Sequence, residues 1–229
     1  MILTKRKFVR EAPLRTAKSV YIFCEGAKRE YQYFDYFKEM DSRINVEVYK
    51  LDPSEDNSPK GLLSIAKKSI LKSDTNQNPK YIFQENDEVW LIVDTDKDKH
   101  ESRKVQITSI KEEIKKNKDW NIVESNPCFE VWLYYHEHKT KPRIENEDKC
   151  SSWKELVNQE IKGGFDSRRH PIYIEDAVMN SEINYDEDEN GTPFIGSSQM
   201  HILAKSILPI VKTKIDKVIY EMKNEEHEA

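Results

Sequence analysis

Short apolar runs alternate with helically spaced ones through the first half of the chain. Residues Ser19–Cys24 form a buried-strand pattern that Glu25-Gly26 ends, and Tyr31, Phe34 and Phe37 then recur at helical spacing up to Met40. Asn45–Leu51 alternates as a second strand, and Pro59-Lys60-Gly61 opens a helix through Leu63, Ala66 and Ile70. Glu88–Val93 is the strongest strand signal and runs directly into Asp94-Thr95-Asp96. A helix through Val105, Ile107, Ile110 and Ile114 follows, then a fourth strand at Trp120–Glu124. Ser125-Asn126-Pro127 reads as the cap and first turn of another helix, with Phe129, Val131, Trp132 and Leu133 inward. Strand then helix, four times over, predicts an α/β fold with a parallel sheet of about four strands flanked by helices.

After about residue 140 the pattern changes. Helical segments are expected near Trp153–Ile161, Tyr173–Ile183 and Met200–Met222, and Asp188–Ser198, with its Gly and Pro, reads as a loop. The expected organisation is therefore an α/β core over residues 1–140 and a helical C-terminal region over 141–229, packed on the core.

Composition narrows the class. Charged residues make up 34% and hydrophobic ones 37%, yet 10% aromatics argue for a packed core. No run approaches the roughly 18 apolar residues of a membrane span, and the basic N-terminal stretch lacks the apolar segment of a secretion signal, so a cytoplasmic protein is expected. Cys24, Cys128 and Cys150 are odd in number and widely spaced, which argues against a disulfide framework or a structural zinc site. The net charge of −5 argues mildly against a dedicated non-specific DNA binder. The acidic stretches 184–190 and 225–228 read as solvated.

The chemistry concentrates after two strands. Asp94, Asp96 and Asp98 leave the end of an apolar strand at alternate positions, so an extended backbone would aim them the same way. Crowded carboxylates repel, and a hard cation, Mg²⁺ or Mn²⁺, relieves them. A solvated turn with Lys97 and Lys99 is the competing reading; placement after a buried strand favours the cation. Glu25, after the first strand, would sit beside Asp94 if the two strands are neighbours, where it could bind metal or move a proton. Lys28, Arg29 and Lys97 could hold a phosphate. Ser125 and Asn126 would offer helix-start N–H groups to one, although Ser125 serves equally as a cap. Glu130 could point back toward the metal. His201 could be an accessory group, although a single histidine is more often structural; His100, His136 and His138 form no zinc motif.

Three motifs in this order resemble the RloB family: Ile22–Tyr31 (IFCEGAKREY), Val89–Asp96 (VWLIVDTD) and Ser125–Leu133 (SNPCFEVWL). Ser197–Lys205 (SSQMHILAK) is similar to that family's C-terminal histidine motif. The resemblance implies a Toprim-like core with a glutamate after the first strand and D-x-D after a later one, positions filled here by Glu25, Asp94 and Asp96. It also implies a place in bacterial antiphage defence beside an AAA-type ATPase partner. Ala27 stands where the family usually carries an acid, and Thr95 where it commonly carries Arg.

The leading expectation is a metal-dependent nuclease acting on DNA or RNA, tRNA included. Glu25, Asp94 and Asp96 would be catalytic, and with Asp98 would bind metal. A non-catalytic binding or regulatory subunit of an ATPase-driven complex is the alternative. A phosphatase or nucleotidyl transferase with similar acids also stays open, as does homo-oligomerisation.

Overall fold

The computed structural model describes residues 8–26, 28–95 and 100–227. Five strands form one sheet in the order β2-β1-β3-β4-β5: β1 (Lys18–Cys24), β2 (Ile44–Val48), β3 (Glu88–Asp94), β4 (Trp120–Asn126) and β5 (Ser197–Ser198). The first four are parallel. Cys24 pairs with Ile92 across β1 and β3, and Asp94 with Ser125 across β3 and β4. The two-residue β5 runs antiparallel to the end of β4.

Residues on alternate sides of each strand enter separate cores, as the period of two requires. Val20, Ile22 and Cys24 face one core, with α1 (Arg29–Asp35), α4 (Glu130–Tyr134), α5 (Cys150–Glu160), α6 (Ile174–Ile183) and α7 (Met200–His227). Tyr21 and Phe23 face the other, with α2 (Pro59–Ile70) and α3 (His100–Ile114). Strands covered on both faces explain why β1 and β3 read as continuous apolar runs. The C-terminal helices thus complete one face of the sheet.

Because α1 covers one face and α2 and α3 the other, the chain changes direction between β1 and β3. In open parallel sheets the crevice at this reversal, beyond the carboxyl ends of the strands, is where ligands bind. Glu25 follows β1 and Asp94 ends β3 at that crevice.

The sequence reading needs four local corrections. Ser125 and Asn126 belong to β4, and the helix after them starts only at Glu130 with Phe129 as its cap residue. The ladder to β5 claims the backbone that a helix start would have used. Ser197 and Ser198, read as loop, form that edge strand. Val105 is exposed, while Ile107, Ile110 and Ile114 carry the buried stripe of α3. The first helix ends at Asp35, and turns carry the chain on to Met40. The three C-terminal helices lie where the spacing places them, and none of the helices among the described residues is long and apolar enough to cross a membrane.

Candidate active site: a carboxylate cleft at the sheet reversal

β1 and β3 are hydrogen-bonded neighbours, so their ends bring Glu25 and Asp94 together. The Asp94 backbone N–H donates to Glu25 Oε1 at 3.3 Å. From α3, the Arg103 guanidinium reaches the same point. Its Nη1 lies 2.5 Å from both Glu25 oxygens and donates to the Asp94 carbonyl at 2.9 Å. Both side chains are about nine-tenths buried, at 9% and 10% exposure, so the pair is shielded from solvent screening.

Two more acids come from the opposite face. Glu30, in the first turn of α1, is 8% exposed, and Glu130, in the first turn of α4, is 4% exposed. Gly26 makes room for Glu30: a Cβ at Gly26 would overlap the Glu30 carboxylate. Glu130 pairs with Arg29 at 3.2 Å. Glu25, Glu30, Asp94 and Glu130 together line a cleft of about 570 Å³, with Lys28, Arg29, Arg103 and Lys154 among its walls.

The carboxylates disturb one another. Burial, reinforced by Glu130 and Glu25, pushes Glu30 up to about 7. Burial and the charges of Glu30 and Glu25 push Asp94 well above the usual carboxylate range. Glu130 in turn raises Lys154. Glu30 and Asp94 are thus costly to ionise among these acids, which is the condition a divalent cation relieves. The donor chemistry therefore fits Mg²⁺ or Mn²⁺, both of which take oxygen ligands. Among the described residues no group of three His, Cys, Asp or Glu side chains stands in ready coordinating geometry. Glu25 is held by Arg103 instead.

The remaining predicted site residues divide as follows. Asp96, Lys97 and Asp98 lie outside the described residues. Lys28 and Arg29 line the cleft. Ser125 and Asn126 are engaged elsewhere. The Ser125 hydroxyl is fully buried and shares a hydrogen bond of 2.8 Å with the Ser198 hydroxyl, and Asn126 Nδ2 donates to the Pro193 carbonyl at 2.7 Å. Ser125 fastens β4 to β5 and Asn126 ties β4 to the segment before β5, so both side chains are engaged within the fold. His201 is absent from the lining of the cleft. Its ring is 7% exposed, packs on Tyr185 at 5.1 Å and bonds the Ser198 carbonyl at 2.9 Å, which fixes the start of α7.

Residues 20–221, most of the chain, match the family model described as RloB-like protein. The chain belongs to the RloB family. This RloB-like chain shows no match to any curated protein or to any solved structure. Spacing alone did not reveal Arg103 or Lys154. Arg103 is one of several charges on α3, and Lys154 lies in the C-terminal region, 60 positions beyond Asp94. Glu130 could be found in the sequence because it sits inside the SNPCFEVWL motif, and Glu30 because it lies in the IFCEGAKREY motif with Glu25.

Proposed function

We propose that the cleft is the active site of a Mg²⁺- or Mn²⁺-dependent nuclease. The observation that carries this reading is the meeting of four carboxylates, Glu25, Glu30, Asp94 and Glu130, at the sheet reversal inside a rim of cations. Asp94 and Asp96 would hold the ion, with Glu30 and Glu130 adding negative charge beside it; when bound it neutralises charge on the phosphoryl oxygens.

The chain's own groups supply the rest. In hydrolysis, water forms the new P–O bond, the ester bond to the leaving sugar oxygen breaks, water gives up a proton and the leaving oxygen gains one. Glu25, oriented by Arg103 and by the Asp94 N–H, would take or return a proton. Glu30 joins it because a carboxyl near pH 7 exchanges protons at little cost. Lys28 and Arg29 face the cleft and would hold the phosphate backbone. The RloB membership supports a role in antiphage defence with an AAA-type ATPase partner.

The test is incubation of purified protein, with and without the ATPase, against plasmid DNA and total tRNA in Mn²⁺, Mg²⁺ or EDTA. Cleavage should need the metal. Glu25→Gln, which removes a general base, and Asp94→Asn, which removes an oxygen ligand for the ion, should each lower it by at least about a hundredfold. Unchanged cleavage by folded variants would reject the assignment.

The closed Arg103–Glu25 pair favours a second reading, a binding subunit whose acids are locked by their own counter-ion. Mn²⁺ calorimetry on folded protein separates the two: no binding, with or without the ATPase, supports the subunit.

A further inference from the structure

The carboxylate cleft lies between two other depressions and shares wall residues with each. On one side it shares Lys28 and Arg29 with a groove of about 650 Å³ that ends at the exposed Arg168. On the other it shares Arg103 with a more enclosed cavity of about 480 Å³ between α3 and the 189–192 turn. Thr95, the residue after Asp94, opens into that cavity.

The α3 wall of the cavity carries Lys104, Thr108, Lys111 and Lys115, at spacings of four, three and four. That spacing places them on one helix face over roughly 16 Å, a span of several phosphates along a strand. The opposite wall is the acidic turn, which contributes Glu189, Asn190 and Thr192. The turn is tied down by its own chain: the Asp188 carboxylate accepts from Asn190 N at 2.8 Å and Thr192 N at 2.9 Å. It also leans on the lysine face. Lys111 donates to the Gly191 carbonyl at 3.2 Å and pairs with buried Glu124 at 2.5 Å, and Asp188 feels the charge of Lys104. Asp166 plays a similar part on the other arm, where it grips Arg168 at 2.7 Å.

We propose that these three depressions form one trough that seats a polynucleotide strand across the carboxylates, with the acidic turn covering one arm in place of phosphates. A trough with cations on both sides of the reacting centre holds chain on both sides of the scissile bond. The substrate it fits is therefore an internal phosphodiester of a polymer, not a mononucleotide or a strand end. Carboxylates already seated among the cations also explain how a chain of net charge −5 can carry a strand-binding surface. A strand entering the α3 arm must displace the charge of the turn.

The inference rests on reading the cleft as a phosphodiester site, so binding is measured without metal, where cleavage plays no part. The probe is a fluorescein-labelled single-stranded oligonucleotide that spans both arms, in EDTA at low and moderate salt. Lys104→Glu with Lys115→Glu, and separately Lys28→Glu with Arg168→Glu, should each weaken binding about tenfold or more and flatten its salt dependence. Asp188→Asn with Glu189→Gln should tighten it severalfold. All of these positions except Asp188 are exposed, and circular dichroism checks that each variant is folded. Wild-type affinity in either lysine or arginine pair, no gain in the turn variant, or equal competition by AMP would overturn the trough. Strand binding without cleavage under any metal would leave the trough standing and remove the nuclease. Cleavage with neutral arm variants would do the reverse.

Discussion

Glu30 shows how one side chain can be costly for the fold and useful for the site. Its carboxylate lies over Gly26, buried, facing Glu25 and Glu130, and titrates at about 7 in place of 4.5. A carboxyl raised in the folded state helps the fold below the unfolded value and loses that contribution as pH rises through the folded one. Between pH 4.5 and about 7 the metal-free protein therefore loses stability at this residue. Glu30→Gln keeps the shape and removes the charge. In EDTA at pH 8 it should unfold in urea roughly 1–3 kcal/mol later than wild type, while its Mn²⁺ affinity by calorimetry falls. Equal stability at pH 8 would mean that Glu30 is not crowded in solution. Glu25 and Asp94 could be found from the sequence because each follows a strong apolar strand. Arg103, which holds them, could not, because no spacing rule separates it from the other charges of α3.

Among the elements, α4 is the one that tertiary packing must hold. Five residues are too few for a helix to persist alone. Phe129, Val131, Trp132 and Leu133 are all at most 1% exposed, and they fix the helix against α1, α5 and α6. Glu130 is carried on this buried turn, so its position depends on the packing beneath it. Trp132→Ala should cost about 3–5 kcal/mol and weaken Mn²⁺ binding with it, whereas Trp132→Phe should keep most of both. Intact Mn²⁺ affinity in a folded Trp132→Ala protein would show that Glu130 is placed by something other than this packing. The SNP segment before α4 shows the limit of local rules. Ser and Asn before Pro form a good helix cap in isolation, yet the pairing of Ser125 with Ser198 and of Asn126 with Ser197 keeps both residues in the sheet.

At the scale of the whole molecule, the aromatic core behind the cleft contains a histidine kept neutral. His136 is 3% exposed, between Tyr33 and Trp132. The Trp132 carbonyl can only accept, so Nδ1 carries the proton to it at 3.1 Å, and Nε2 accepts from the Tyr33 hydroxyl at 3.0 Å. Burial lowers the ring from 6.5 to about 3, helped by His170. A base lowered in this way favours the folded state above its unfolded value and loses that contribution as pH falls toward the folded one. Between about pH 6.5 and 3 the protein should lose up to about 1.4 kcal/mol per pH unit at this residue. His136→Gln should remove that slope: the stability gap between wild type and variant, from urea unfolding, should narrow steadily on acidification. A constant gap would place the ring in contact with water.

The sequence by itself determined the parallel α/β order, the three C-terminal helices and the two strand ends that carry Glu25 and Asp94. Each of these is set by local periodicity, which depends only on near neighbours along the chain. The tertiary structure decided which strands are adjacent and which faces the helices cover. It also decided that Arg103, Glu30, Glu130 and Lys154 meet at one point. Those residues come from four different helices, and only packing across the sheet brings charges so far apart in sequence within reach of one another.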